Sequence, residues 1–265
     1  MKNILVPTDF SVFANYAFDT AVLFAKRFNS RIHLLHQLAT ASAVPTAQEQ
    51  AIKNAQILLN HLKDKQPELD IRTFVYTGKL PILINQFIAD HGVDLIIMGS
   101  HGASGWNELL IGSNTQKVIR EVSCPVLVVK KQLTDIKFDK VVFASSFHKD
   151  ETAAFMRMKE FVAPFIPEIH LVEIHTSSLF DPPYFLSKET LAQFKELCKP
   201  FHCETHIERG FSIEKGIRSF AQDIKAKLIV ISNHQKNPLK RIFSGSNVEA
   251  LVNHADLPVL SIDFR

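Results

Sequence analysis

The chain has 265 residues, with 30 Lys and Arg against 27 Asp and Glu, and three cysteines. This length predicts about two domains of ordinary size, and the balanced charge, with one basic cluster at Lys236–Arg241, argues against nucleic-acid binding. The first residues turn polar at Thr8, and no apolar run approaches the ~18 residues of a membrane span. An odd number of cysteines fits a reducing compartment, so we expect a cytoplasmic protein without membrane or nucleic-acid partners.

The two halves of the sequence resemble each other. Three segments of the first half align with the second at an offset that drifts only from 137 to 133: Asn3–Ser11 with Lys140–His148, Asp94–Gly102 with Lys227–Gln235, and Ile111–Lys130 with Ser244–Asp263. Such internal similarity is typical of a duplicated domain. We predict domains over residues 1–132 and 138–265, joined by a polar stretch near Lys131–Phe138.

Short β-branched runs alternate with helical patterns in the first half. Strands are predicted at Asn3–Val6, Arg31–His36, Asp70–Tyr76, Asp94–Met98 and Val126–Lys130. Apolar residues at helical spacing lie between them, namely Ala14, Ala17, Phe18, Ala21, Val22 and Ala25, then Ala55, Leu58, Leu59 and Leu62, then Ile84, Phe87 and Ile88. His91 and Gly92 mark a helix end. The alternation predicts an α/β fold, with two doubly wound, Rossmann-like parallel five-stranded sheets of order 3-2-1-4-5 in tandem.

A ligand site is expected where this strand order reverses, beyond the carboxyl ends of the first and fourth strands. Pro7–Asp9 and the glycine-rich loop from Gly99 then face each other. The loop leads to a predicted helix start, at which Ser113 or Asn114 is the expected N-cap. Unpaired N–H groups at a helix start bind phosphate readily.

The glycine spacing separates this loop from other phosphate motifs. Gly99, Gly102 and Gly105 stand three apart, unlike the G-x-G-x-x-G of dehydrogenases, and the loop lacks the G-x-x-x-x-G-K-[ST] of a P-loop. A role of these glycines in turns alone stays open at this point.

The order Gly99, two residues, Gly102, nine residues, Gly112, Ser113 resembles the G-x2-G-x9-G-[S/T] signature of ATP-binding universal stress proteins. The Pro7–Asp9 segment and the last strand, CPVLVV, are also similar to that family. The likeness covers nearly the whole chain as a tandem pair.

This resemblance implies a set of ligand contacts. Asp9 would contact the adenosine, Pro7 and Thr8 would shape that wall, and the main chain around Gln37 would meet the adenine. Ribose and phosphates would be held by Gly99, Gly102, Gly112, Ser113 and Asn114. The implied ligand is ATP or AMP, with Mg²⁺ as an optional companion.

Three function classes follow. The first is a nucleotide-binding stress or regulatory protein with an unknown protein partner; because no catalytic pair accompanies the loop, we expect at most slow ATP hydrolysis. The second is an interaction scaffold with both sites empty. The third is a metal or small-molecule enzyme that uses histidines of the second half, namely His170, His175, His202 and His206.

One cysteine and histidine cluster offers zinc ligands at Cys198, His202, Cys203 and His206. The alternation of residues 202–207 instead favours a half-buried strand, in which Cys203 and His206 point to opposite faces.

The two halves are predicted to be unequal, with one nucleotide bound by the first half. The repeat places Ala144–Ser146 opposite Pro7–Asp9, Ser232 opposite Gly99, and Gln235 opposite Gly102, so a carboxylate and two glycines are lost. We also expect the last strands of the halves, Pro125–Lys130 and Pro258–Asp263, to pair within the chain, because exposed edge strands need cover.

Overall fold

The computed structural model describes residues 1–38, 45–100, 112–148, 151–177, 181–233 and 247–263. The chain divides into two compact units, Met1–Ile136 and Lys137–Arg265. None of the helices in these ranges is long and apolar enough to cross a membrane.

The first unit alternates strands and helices. Its elements are β1 (Asn3–Pro7), α1 (Val12–Phe28), β2 (Arg31–Leu38), α2 (Pro45–Asp64), β3 (Ile71–Thr77), α3 (Leu80–His91), β4 (Leu95–Gly99), α4 (Ser113–Glu121) and β5 (Val126–Val129). The strands lie in the order β3-β2-β1-β4-β5, and every adjacent pair is parallel.

The second unit repeats this plan. Its elements are β6 (Lys140–Ala144), α5 (Thr152–Val162) followed by a 3-10 turn (Ala163–Phe165), β7 (Glu168–His175), α6 (Tyr184–Leu197), β8 (Cys203–Arg209), α7 (Ile213–Asp223), β9 (Leu228–Asn233), α8 (residues 247–254) and β10 (Val259–Asp263). Its strands follow the order β8-β7-β6-β9-β10, again with parallel pairs. The predicted fold class and the strand order of each half are confirmed.

The central strands are apolar throughout because helices cover both of their faces. All residues of β4 and β5 are buried, and so are four of the five residues of β1. Strand β3, at the end of the order, has only one buried residue. In the first unit burial is therefore greatest in β1, β4 and β5, and the predicted ligand-binding edge lies at the carboxyl ends of the first two of these strands.

Local signals set the helix ends. Ser11 caps α1, since its side chain accepts a hydrogen bond from the Ala14 N–H. Gly92 ends α3 in the left-handed conformation, as its position after His91 predicts. The apolar face predicted for α1 is buried, but Leu58 of α2, predicted on an apolar face, is 47% exposed.

A buried histidine lies beneath α3. The His33 ring packs among Phe74, Phe87 and His91, and its Nε2 lies 3.3 Å from Asn3 Oδ1. Burial lowers the pKa of His33 to about 4, and the positive charges of His91 and nearby arginines act in the same direction.

This histidine predicts a loss of stability in acid. The unfolded chain takes up a proton near pH 6.5, whereas the folded chain resists it until about pH 4, so the free energy of unfolding falls between these values. Urea unfolding at pH 7 and pH 5 measures the loss, which should be smaller in His33→Gln. An equal loss in both proteins contradicts the prediction.

Candidate functional site

The loop after β1 is held by a chain of local hydrogen bonds. Thr8 donates its N–H to the Leu35 carbonyl at 2.9 Å, and its side-chain oxygen accepts from the Phe10 N–H at 3.1 Å. Phe10 has a positive φ of 64°, and its ring lies against His36 at 4.7 Å. His36 Nδ1 in turn lies 2.8 Å from the Thr8 carbonyl oxygen. The loop conformation is therefore set before any ligand arrives.

Asp9 is the exposed residue of this loop. Its Oδ1 accepts a hydrogen bond from the Ser11 N–H at 3.1 Å, just before α1 begins. The carboxylate thus stabilises the turn and also faces the cleft described below.

Two bonds tie the start of α4 to the end of β4. The Gly112 N–H donates to the Ser100 carbonyl at 2.9 Å, and the Thr115 hydroxyl donates to the Gly99 carbonyl at 2.9 Å. The first turn of α4 is consequently fixed beside the carboxyl end of β4.

Between these loops lies an open cleft at the carboxyl ends of β1 and β4. The open space within it, mouth included, is about 660 Å³. Eight of the nine predicted site residues line it: Pro7, Thr8, Asp9, Gln37, Gly99, Gly112, Ser113 and Asn114. The ninth, Gly102, lies outside the described residues.

Other lining residues were not singled out from the sequence. These are Ala14, Leu35, Leu80, Met98 and Thr115. Most are apolar residues at the ends of elements that the patterns do predict, but nothing in those patterns separates a cleft wall from ordinary core. They give the cleft an apolar wall opposite its polar loops.

Gly99 is required by packing. A Cβ atom built on Gly99 would lie 2.5 Å from the Phe13 carbonyl carbon and oxygen, a distance that real Cβ atoms essentially never show. Its φ is not in the left-handed region. The first turn of α1 therefore accounts for this glycine without a ligand.

The N-cap of α4 is one residue earlier than predicted. Gly112 occupies this position, so the expectation of Ser113 or Asn114 as the N-cap was wrong. Glycine satisfies the extended geometry of an N-cap but offers no side-chain acceptor for the first N–H groups of the helix. No acidic residue stands in the first turn of α4.

Gln37 joins the end of β2 to the loop after β3. Its Nε2 donates to the Gly78 carbonyl at 2.7 Å and to the Leu38 carbonyl at 3.1 Å. The Gln37 side-chain amide is thus occupied by bonds within the protein. Gln37 still lines the cleft, so its main chain is the part expected to meet a ligand.

The corresponding loop of the second unit has the same backbone but different chemistry. Ser145 Oγ accepts from the Phe147 N–H at 3.1 Å, and Phe147 has a φ of 53°, as Thr8 and Phe10 do in the first unit. Phe147, however, is fully buried and packs against Phe194 at 5.1 Å.

A buried carboxylate stands where the first unit has a small side chain. Four residues after the positive-φ phenylalanine, the first unit has Ala14 and the second has Glu151. Glu151 is fully buried and accepts from the Ser146 hydroxyl at 2.9 Å and the Phe147 N–H at 2.8 Å. The protein itself supplies an anion here.

Residues 203–209 form strand β8, in keeping with the strand pattern preferred from the sequence over a zinc set of Cys198, His202, Cys203 and His206. Among the described residues, two groups are close enough to share a metal ion, His170 with Glu204 and His206, and Glu168 with His202 and Glu204; neither contains a cysteine. All three cysteines of the chain are free and buried.

Comparisons with known proteins agree with this architecture. The family model described as the universal stress protein family matches twice, over residues 1–130 and 137–262. Universal stress protein MJ0577 of Methanocaldococcus jannaschii is 31% identical over 49% of this chain and 96% of its own length. Universal stress protein Slr1230 of the cyanobacterium Synechocystis is 24% identical over 98% of this chain and 99% of its own length.

A solved structure has the same fold along nearly the whole chain. It is a universal stress protein from Archaeoglobus fulgidus, which is 21% identical with a TM-score of 0.79 and covers 98% of this chain and 96% of its own. Fold and cleft define a tandem α/β protein with an open cleft at the switch point of its first unit. The chain belongs to the universal stress protein family.

The packing at Gly99 predicts a stability effect. Gly99→Ala should lower the free energy of unfolding by about 1–3 kcal/mol or more, because the added methyl meets backbone that cannot move aside. Urea unfolding measures it, with Ser232→Ala at the equivalent position of β9 as the control, for which a smaller loss is expected. Equal losses contradict the packing argument.

Proposed function

We propose that the first unit binds one adenine nucleotide, ATP or AMP, and that the protein acts as a nucleotide-dependent stress or regulatory protein. The observation that carries this proposal is the convergence of Pro7–Asp9, Gly99 and the start of α4 on one cleft. Backbone N–H groups at a helix start, with the positive end of the helix dipole, favour a phosphate.

The two sides of the cleft match the two ends of a nucleotide. Leu35, Leu80 and Met98 provide an apolar wall suited to a flat base, and the start of α4 provides donors suited to phosphate. Asp9 is the carboxylate available to accept from the adenosine. Mg²⁺ would accompany ATP through the phosphate oxygens.

The second unit is proposed to bind no nucleotide. Glu151 places a buried negative charge in the loop that, in the first unit, opens to the cleft, and it already accepts the local donors. A phosphate beside this carboxylate would meet a like charge, and Ser232 replaces Gly99.

Signalling by shape is favoured over chemistry. The described lining residues include Asp9 as the one carboxylate and no histidine, cysteine or lysine, so we propose at most slow ATP hydrolysis. Free buried cysteines suit the reducing cytoplasm. Pairing of the two last strands and an unidentified protein partner stay predictions.

Asp9 offers a direct test of the nucleotide site. Asp9→Ala should lower ATP affinity by about 1–3 kcal/mol, since a charge-assisted hydrogen bond is lost. Asp9→Asn keeps an acceptor for the Ser11 N–H, so affinity lost in this variant reflects the ligand and not the turn. Calorimetric titration measures both. Unchanged affinity in Asp9→Ala removes Asp9 from the site.

The stoichiometry tests the inequality of the two units. Titration of nucleotide-free protein with ATP should give one site per chain, and Ala14→Glu, which copies Glu151, should abolish it. Val12→Glu adds the same charge at an exposed position of the same turn and should bind normally. Two sites of similar affinity contradict the inequality; no binding by the unmodified protein favours the empty scaffold instead.

A further inference from the structure

Three chemistry-bearing side chains of the second unit share one face of two paired strands. His170 of β7 is the register partner of Glu204 in β8, and His206 follows two residues after Glu204. Because side chains alternate along a strand, Glu204 and His206 point to the same side as their neighbour His170. They lie near the amino-terminal ends of β7 and β8, away from the carboxyl ends at which the nucleotide cleft of the first unit is built.

The distances within this trio suit a small metal ion. His170 Nδ1 lies 3.1 Å from His206 Nε2, and Glu204 Oε2 lies 3.7 Å and 3.6 Å from these nitrogens. A point at the centre of this triangle is about 2 Å from all three atoms, which is the usual Zn–N and Zn–O distance. No rearrangement of the strands is needed to reach it.

Burial decreases in steps across the trio. The side chain of His170 is 4% exposed, that of His206 22% and that of Glu204 47%. Phe220 of α7 lies against the His206 ring at 4.7 Å and forms an apolar wall. An ion in the triangle would therefore be held from the interior and stay open to water on the side of Glu204.

A second carboxylate stands behind His170. Glu168 Oε1 lies 3.3 Å from His170 Nε2, and Lys140 Nζ lies 3.4 Å from the other oxygen of Glu168. His170 Nε2 is buried and makes no hydrogen bond to a described residue, so this approach is a close contact and not a bond. Histidines that bind a metal through one nitrogen usually present the other N–H to a carboxylate or carbonyl. Glu168 is within reach of Nε2 for that role, while Nδ1 faces His206.

The charge of the trio also suits a cation. Glu204 supplies the negative charge that compensates a divalent ion.

The first unit lacks this set at the same positions. His33 of β2 corresponds to His170, but its register partner in β3 is Arg72, and Phe74 stands where His206 stands. There the space beside the histidine is filled by aromatic rings. Because the same fold holds Phe74 at the position of His206, the substitution His206→Phe should be compatible with the fold of the second unit.

We propose that the second unit binds one divalent transition-metal ion of the Zn²⁺ class through His170 Nδ1, His206 Nε2 and Glu204 Oε2, with water in the remaining position. This site differs from the cysteine-containing set considered and disfavoured in the sequence analysis, because Cys203 lies on the opposite face of β8 from His206. It is independent of nucleotide binding in the first unit.

The test is a titration of the full chain with Zn²⁺ alone, after removal of metal by a chelator and of the chelator by gel filtration. One ion per chain is expected, and Co²⁺ in its place should give the visible absorption of a low-coordinate site. His206→Phe should weaken the affinity at least about 100-fold, because a direct ligand matters no less than a supporting residue.

Further variants keep the result decisive. Glu204→Gln preserves shape and should also weaken binding, whereas His148→Phe, at an exposed histidine outside both groups, should leave it unchanged. His202→Phe tests the second group and should retain the ion. Circular dichroism and urea midpoints establish that each variant is folded. The proposal is overturned if Zn²⁺ does not bind, if His206→Phe and Glu204→Gln bind as the unmodified protein does, or if only His202→Phe loses the ion.

Discussion

The approach of the first turn of α1 to β4 at Gly99 sets the geometry on which the cleft depends. The backbone of Phe13 occupies the space that any side chain at position 99 would need. This contact holds the loop after β1 close to the end of β4, and the bonds from Thr115 and Gly112 then hold α4 against the same end. Packing thus brings together the end of β4, the loop after β1 and the start of α4. The proposed ligand contacts depend on that packing.

Duplication of this frame leaves each copy free to change at its polar positions. The hydrogen bond from the Phe10 N–H to the Thr8 side chain is repeated between Phe147 and Ser145. The two units differ at the residue four positions after the phenylalanine. Glu151 accepts the hydrogen bonds of the second loop, whereas Ala14 has no acceptor and lines the cleft. At the amino-terminal ends of the strands it is the second unit that has the polar site. Aromatic rings pack around His33 in the first unit, whereas a histidine and a carboxylate lie beside His170 in the second.

The fold could be predicted from the sequence because its signals are local and repeated. Continuous apolar runs identified the central strands, and Gly92 identified a helix end. The α/β alternation is compatible with the observed strand order but does not select it among doubly wound arrangements. The N-cap of α4 was misplaced because Ser113, Asn114 and Gly112 are all acceptable caps, and only the bond from Gly112 to Ser100 selects among them. The exposure of Leu58 was likewise hidden, since periodicity does not reveal how much of a helix face its neighbours cover.

The sequence by itself determined the duplicated α/β architecture and indicated which loops could bind a ligand. Strand periodicity, glycine spacing and internal repetition are local features that can be recognised without the tertiary structure. The tertiary structure alone decided why Gly99 is glycine, how Glu151 fills its own loop and which histidines face each other. His170 and His206 are separated by 36 residues and come within 3.1 Å only through the parallel register of β7 and β8. Such contacts depend on distances in space between distant segments, and these distances follow from packing and strand register.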